Sequence, residues 1–169
     1  MRSLYFVSLI IFLLIFSFVF AQDSKVNFSG EWTFNQDKSE TGDSGRGRGF
    51  GSATKLVVKQ EANKLTIERT GQGRDGEYTR TEELTLDGKK NEVEGFGGRT
   101  STVTAQWTDG GKTLTINSVS VFEREGQSFE INSTEVWSIL ENGKVLSIGS
   151  TRTTSRGERT SKLVYNKAE

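Results

Sequence analysis

"NKLTIERTGQGRDGEYTRTEELTLDG", residues 63–88, contains two runs that alternate with period two on either side of a glycine-rich middle. In the first run Leu65 and Ile67 share a face with Arg69, while Thr66 and Glu68 fill the other. In the second, Leu86 and Leu84 share a face with Glu82, Arg80 and Tyr78. Strict alternation is the pattern of a half-buried strand, and two such runs joined by glycines read as an antiparallel hairpin. The same face is aliphatic at one end and charged at the other. That gradient predicts both the fold and the site.

The pattern repeats along the chain. Thr, Ser and Val are abundant, and no segment carries a helical stripe of apolar residues. Ten strands are predicted, at 26–35, 54–60, 64–70, 77–86, 89–95, 101–108, 112–122, 127–139, 144–154 and 159–166. Between them stand Glu61-Ala62-Asn63, Asp87-Gly88, Asp109-Gly110-Gly111 and Asn142-Gly143. These residues tolerate the left-handed backbone that tight hairpins demand. Two hairpins resemble each other, "WTDGGKTLTINS" from Trp107 and "WSILENGKVLSIGS" from Trp137. Short connections favour an up-and-down antiparallel meander, and about ten such strands curl and close to remove their edges.

Strand direction then sorts the loops. The turns at 61–63, 87–88, 109–111 and 141–143 fall at one end, and the connections at 71–76, 95–100, 123–126 and 155–158 at the other. The long Gly/Arg-rich connection 36–52 joins the second group and is expected to be flexible. Leu65, Ile67, Leu84, Leu86, Val103, Ala105, Trp107, Leu114, Ile116, Trp137, Ile139, Leu146 and Ile148 share the apolar face near the first end. Followed toward the second end, those faces turn to Arg69, to Glu82, Arg80 and Tyr78, to Glu135 and Ser133, and to Ser150 and Arg152. One reading is a solvated rim; the other is a ligand cavity whose arginines meet an anionic group. Val119 and Val121 have the opposite parity from Leu114 and Ile116, which predicts a register slip in that strand.

Residues 1–21 are a different kind of polymer. Arg2 precedes a nearly unbroken apolar run from Leu4 to Phe20, and Val19-Phe20-Ala21 offers a small-residue cleavage pattern. This reads as a signal peptide cut before Gln22, leaving a single domain over 22–169; an uncleaved anchor is the alternative. The expected location is extracytoplasmic, periplasmic or secreted, with no membrane span after cleavage. Loss of Arg2 leaves 21 basic against 22 acidic residues, a balance that argues against nucleic acid as a partner. The chain has no Cys and no His. Disulfides, thiol nucleophiles and the usual zinc ligands are therefore out of reach, and no metal or cofactor is expected.

"VNFSGEWTFNQ", residues 26–36, sets Gly30 two positions before Trp32 on a face shared with Phe28 and Phe34. A glycine inside a strand marks a bend or a close backbone approach. This Gly-x-Trp in the first strand of an exported all-β chain resembles the signature of the calycins, the lipocalins and fatty-acid-binding proteins. "FSGEWTFNQDKSE" also looks like the opening of small exported bacterial lipocalin-like proteins. The resemblance implies an 8–10-stranded lipocalin-like barrel, closed around Gly30 and Trp32, that carries a small hydrophobic ligand. By analogy with fatty-acid carriers, Arg69, Arg80 and Arg152 would be the polar contacts, through facing rather than motif. Lipocalins also place a late arginine over the motif tryptophan, a role open to Arg152 or Arg159.

The expected function is that of a binding protein for a small hydrophobic or amphipathic ligand, with an anionic one included. Trp107, Trp137, Tyr78 and Phe129 would form the wall, and Arg69, Arg80, Arg152 and Glu135 the polar lining. The alternative is a non-catalytic envelope interaction or structural protein with a filled barrel. A carboxylate hydrolase using Glu82 and Glu135 is the least favoured reading. "GRGRGFG", residues 45–51, reads as a lid over the open end with Phe50 able to touch a ligand, and the sequons at Asn27 and Asn132 lie inside predicted strands.

Overall fold

Alternation of Val, Ile, Leu and Thr with charged residues drives ten strands. The computed structural model describes residues 25–41, 53–73, 76–94, 99–155 and 157–168. The expected signal peptide and the connection from 42 to 52 lie outside them. The strands are β1 (Gly30–Phe34), β2 (Ala53–Glu61), β3 (Lys64–Gly73), β4 (Gly76–Thr85), β5 (Asp87–Glu94), β6 (Thr100–Thr108), β7 (Thr113–Arg124), β8 (Gln127–Leu140), β9 (Val145–Thr154) and β10 (Gly157–Lys167). All pairings are antiparallel, in the order β4-β3-β2-β1-β10-β9-β8-β7-β6-β5.

The meander predicted from the sequence is therefore the fold. Its two outer strands, β4 and β5, are consecutive in the chain, joined at Leu86, and do not pair as a ladder, although Thr85 N–H donates to Asn91 Oδ1 (3.1 Å) beside that junction. The sheet wraps into a nearly closed barrel with one seam. Charged side chains stand along both unpaired edges, Glu77 and Glu83 on β4 and Lys89, Lys90, Glu92 and Glu94 on β5. Charge on an edge strand discourages pairing with another chain.

The largest departure is at the start. Strand β1 begins at Gly30, four residues later than alternation predicts. Residues 25–29 instead turn beneath the barrel: Val26 N–H donates to Gly111 O (3.0 Å), and the Gln60 amide accepts from Phe28 N–H (2.9 Å) and donates to Val26 O (3.0 Å). Phe28 thereby enters the core. Its ring lies 5.8 Å from Trp107 in a stacked pair and 5.8 Å from Trp137 edge-on. Trp32 fixes the entry by donating from Nε1 to Phe28 O at 3.0 Å.

Gly30 is the hinge of this turn. Its φ of 144° lies where side-chain-bearing residues are rarely found. A Cβ there would also meet Lys167 Cε at 3.0 Å, the end of a flexible side chain. The backbone conformation is thus the main constraint. Gly30→Ala should destabilise by about 1–3 kcal/mol, seen as a lower urea midpoint at unchanged slope. The cation over Trp32 is Lys167, with Nζ 5.6 Å from the ring. Neither Arg152 nor Arg159 takes that place, because the register sets Lys167 directly opposite Trp32.

The two similar hairpins share a turn. Asp109–Gly111 and Glu141–Gly143 are both short 3-10 turns entered through left-handed residues, with Asp109 and Glu141 each at φ 50°. Their tryptophans are not equivalent, since Trp107 pairs with Leu114 but Trp137 pairs with Ile148. The predicted slip in β7 does not occur: β7 and β8 pair without a shift from Thr113 to Arg124. Val119 and Val121 simply face outward, Val121 with 56% of its surface exposed.

Beyond Phe34 the chain stays beside β10. Asn35 N–H donates to Val164 O, and Glu40 bridges to Lys162. Between them Ser39 Oγ accepts from Val164 N–H at 2.9 Å, and Lys38 reaches Glu141 at 3.2 Å. Residues 36–40, the start of the connection expected to be flexible, are held by these contacts.

Candidate functional site

Phe28, Trp32, Leu56, Leu65, Ile67, Leu84, Ala105, Leu114, Trp137, Leu146, Ile148 and Tyr165 are all buried to within 1% of complete, and they fill the end where the chain turns beneath the sheet. Burial of that much aliphatic and aromatic surface is the main driving force for the fold. Immediately above this floor the inner face becomes ionic.

Strand β3 carries Arg69 inward after Ile67, and β4 carries Arg80 and Glu82 inward beside Leu84. Register sets Arg69 directly opposite Arg80. Two like charges opposed on one face are destabilising unless acid intervenes. Here it does. Arg69 Nη2 donates to Glu135 Oε2 (3.0 Å) and its Nε lies 3.5 Å from Glu82 Oε1, while Arg80 Nη2 donates to Glu82 Oε1. Trp137 Nε1 donates to the same Glu135 oxygen at 2.8 Å, and the Arg69 guanidinium stands 5.5 Å from the Trp137 ring. The result is one connected set, Arg80–Glu82–Arg69–Glu135–Trp137, with two positive and two negative charges.

Burial makes these contacts strong. The side chains of Arg69, Glu82 and Glu135 keep only 14%, 9% and 23% of their exposure. Burial opposes ionisation of Glu135, but Arg69 and the hydrogen bonds from Trp137 and Arg69 outweigh it and hold the carboxyl below the usual glutamate range. Burial also opposes the charge on Arg69, and Glu135 and Glu82 more than restore it. Tyr165, buried beneath, has its hydroxyl pushed up by burial. A carboxyl held ionised in this way cannot serve as a general acid at neutral pH, so of the two roles in a paired-carboxylate hydrolase Glu135 is fit for the base or nucleophile and not the acid.

The other expected lining residues separate into three places. Tyr78 is half-buried on β4 and lies over Gly71, where a Cβ would stand 2.8 Å from its hydroxyl oxygen. Gly71 thus makes room for the ring. Trp107 belongs to the floor, stacked on Phe28 with Lys25 Nζ 5.6 Å from its ring. Phe129 lies toward the opposite end, stacked on Phe122 at 5.6 Å, with the Arg99 guanidinium 4.1 Å from the Phe122 ring. Arg152 is exposed, four residues along β9 from buried Ile148.

Between the charged set and the Phe122–Phe129 pair, the inward positions of β6 to β10 are mainly small hydroxyls, with Ile131 opposite Ser120 and, nearer the mouth, Arg152 and Arg159 as the larger side chains. Ser101 and Ser120 are 2.6 Å apart, Ser118 pairs with Ser133, and Ser150 pairs with Ser161. Glu82 and Phe28 are central here yet were the harder residues to rank from sequence, Glu82 because only its pairing with two arginines marks it and Phe28 because alternation placed it in a strand. Among the described residues, no helix is long and apolar enough to cross a membrane.

A ten-stranded, nearly closed antiparallel meander with a packed floor and a polar interior defines the class. No family model and no curated protein matches the chain. Among solved structures it is similar to a zebrafish ileal bile acid-binding protein crystallised with cholic acid, at 18% identity and a TM-score of 0.55. The match covers 83% of this chain and 98% of that one, so the likeness of fold extends over nearly the whole barrel.

Proposed function

We propose that this protein is an extracytoplasmic binding protein that holds a small hydrophobic or amphipathic ligand in the upper half of its barrel. The observation that carries the reading is the run of serines above the charged set. Side chains as short as Ser118, Ser120, Ser133, Ser150 and Ser161 cannot fill the width of a barrel whose lower half takes three tryptophans, Phe28 and Tyr165 to fill. Partly buried aromatics above them, Phe122, Phe129 and Tyr78, supply apolar wall. The leader-like residues 1–21 support export. The likeness in fold to a protein solved with cholic acid bound agrees with a non-enzymatic carrier.

A second reading has one specific observation behind it. The Arg69 set is neutral, its two guanidiniums ion-paired with its two carboxylates, as expected if the barrel is filled and acts as a structural module of the cell envelope. A fluorescent fatty-acid probe separates the two. Binding with blue-shifted emission, reversed by unlabelled amphiphile, is the expected result for the purified protein. Absence of probe binding, together with no compound recovered by organic extraction of the protein, would leave the filled-barrel reading standing.

A further inference from the structure

The barrel contains a second pair of opposed arginines. Strands β9 and β10 pair without a shift, and the register runs Ile148 opposite Leu163, Ser150 opposite Ser161, then Arg152 opposite Arg159. Ile148 is buried in the core and Ser150 lies opposite Glu135. Unbroken alternation therefore puts Arg152 and Arg159 on the inward face, two positions nearer the mouth than Ser150 and Ser161. Strands β8 and β7 continue the same row, with Ser133 opposite Arg152 and Ser118 opposite Ser133. The row thus reads Ser118, Ser133, Arg152, Arg159: two hydroxyls beside two guanidiniums.

Arg69 and Arg80 show how this chain treats such a pair when it is self-contained, with Glu82 and Glu135 set between the guanidiniums. Nothing comparable serves Arg152 and Arg159. Among the described residues neither forms an ion pair. The nearby Glu158 lies on the opposite face, where its carboxylate reaches Thr153. Among the described strand residues at this end, the acids Glu77, Glu94, Glu123 and Glu130 also fall at outward parity beside inward Tyr78, Val93, Phe122 and Phe129, and Glu125 stands in the turn between β7 and β8. Acid outside and arginine inside makes a mouth that draws anions inward and repels them from its outer wall.

The residue type carries a further point. On the strands at this end the inward-parity cations among the described residues are Arg152 and Arg159, while Lys55, two residues into β2, points outward and is paired with Glu31. Guanidinium presents paired N–H donors that match a carboxylate or other oxyanion, and lysine does not. An opposed arginine pair costs stability when empty, and an oxyanion held between the two would remove that cost.

We infer that Arg152 and Arg159, with Ser133 and Ser118 beside them, form an oxyanion subsite at the barrel mouth. The ligand class is an amphiphile with one carboxylate-type headgroup, oriented with its charge at the mouth and its body toward the serines and aromatics. The inference rests on the binding-barrel reading and assigns that ligand its charge and direction. The deeper Arg69 set, already neutral, does not take the headgroup.

The test compares decanoate, decanol and acetate on the purified protein, by calorimetry and by the side-chain Nε–Hε resonances of arginine. Decanoate should bind about tenfold or more tighter than decanol. That preference should shrink as salt rises and collapse in Arg152→Gln/Arg159→Gln. Arg152→Lys/Arg159→Lys, which keeps the charge, should retain part of it and serves if the glutamine variant does not fold. Equal binding of decanoate and decanol, or a preference that survives in the glutamine variant, overturns the subsite and leaves the binding barrel intact. Acetate shifting both arginine resonances while neither decyl compound binds would support the subsite as a site for free anions and refute the barrel reading. No response to any of the three refutes both.

Discussion

Arg69→Met lowers the unfolding free energy by about 3–5 kcal/mol, read as a fall in the urea midpoint. Methionine keeps much of the volume and the contact with Trp137, so the loss is mainly electrostatic. It leaves Glu82 and Glu135 in the barrel interior, with Arg80 partnering only the first. Breaking a buried pair by removing one partner is costly because the surviving charge cannot return to water. Adding Glu135→Gln to Arg69→Met should recover part of the stability, a non-additivity that identifies the pair.

The same pair has a signature in pH. In the native protein the Glu135 carboxyl titrates below its ordinary value of about 4.5. Its contribution is complete above that ordinary value and is lost as pH falls through the lower, folded-state value. Without Arg69 the carboxyl keeps the Trp137 hydrogen bond and the attraction of Arg80, but burial is then less opposed and moves the Glu135 pKa upward, so protonation costs the fold less. The deficit of Arg69→Met relative to the native protein should narrow as pH drops below about 4.5. A deficit that is independent of pH would assign the loss to packing.

Phe28→Ala is the second large effect, at about 3–5 kcal/mol. The side chain is completely buried between Trp107 and Trp137, and its residue lies outside every strand. No ladder hydrogen bond depends on it, so the cost measures the plug itself. Red-shifted tryptophan emission should accompany the loss as water reaches the two indoles. Phe28→Leu, which keeps most of the volume, should cost about 1–2 kcal/mol. Equal losses for the two variants would mean that ring stacking, rather than filled volume, holds the floor.

These two positions show where local reading stops. Arg69 was legible as an inward residue because alternation is a property of neighbours in the chain. Its partner Glu135 is 66 residues away, and period-two parity alone does not pair one strand's carboxylate with another's guanidinium. Phe28 was legible as apolar and on the face of Trp32, but not as a plug, because the turn at Gly30 is stabilised by Gln60 and Gly111 from distant hairpins. The expected slip at Val119 failed for a related reason. Two outward valines suggest a bulge only if the outer face must be polar, and a lone exposed valine carries little cost.

Taken by itself, the sequence determined the all-β meander, its ten strands and turns, which end of the barrel is apolar, and which strands change to charge halfway along. All of that follows from side-chain alternation and turn chemistry, which act over a few residues. Tertiary structure alone decided the seam between β4 and β5, Lys167 over Trp32, the neutral set around Arg69, and the opposition of Arg152 and Arg159. Those depend on strand order and register, which are settled only when the whole sheet closes and each inward side chain meets neighbours from distant parts of the chain.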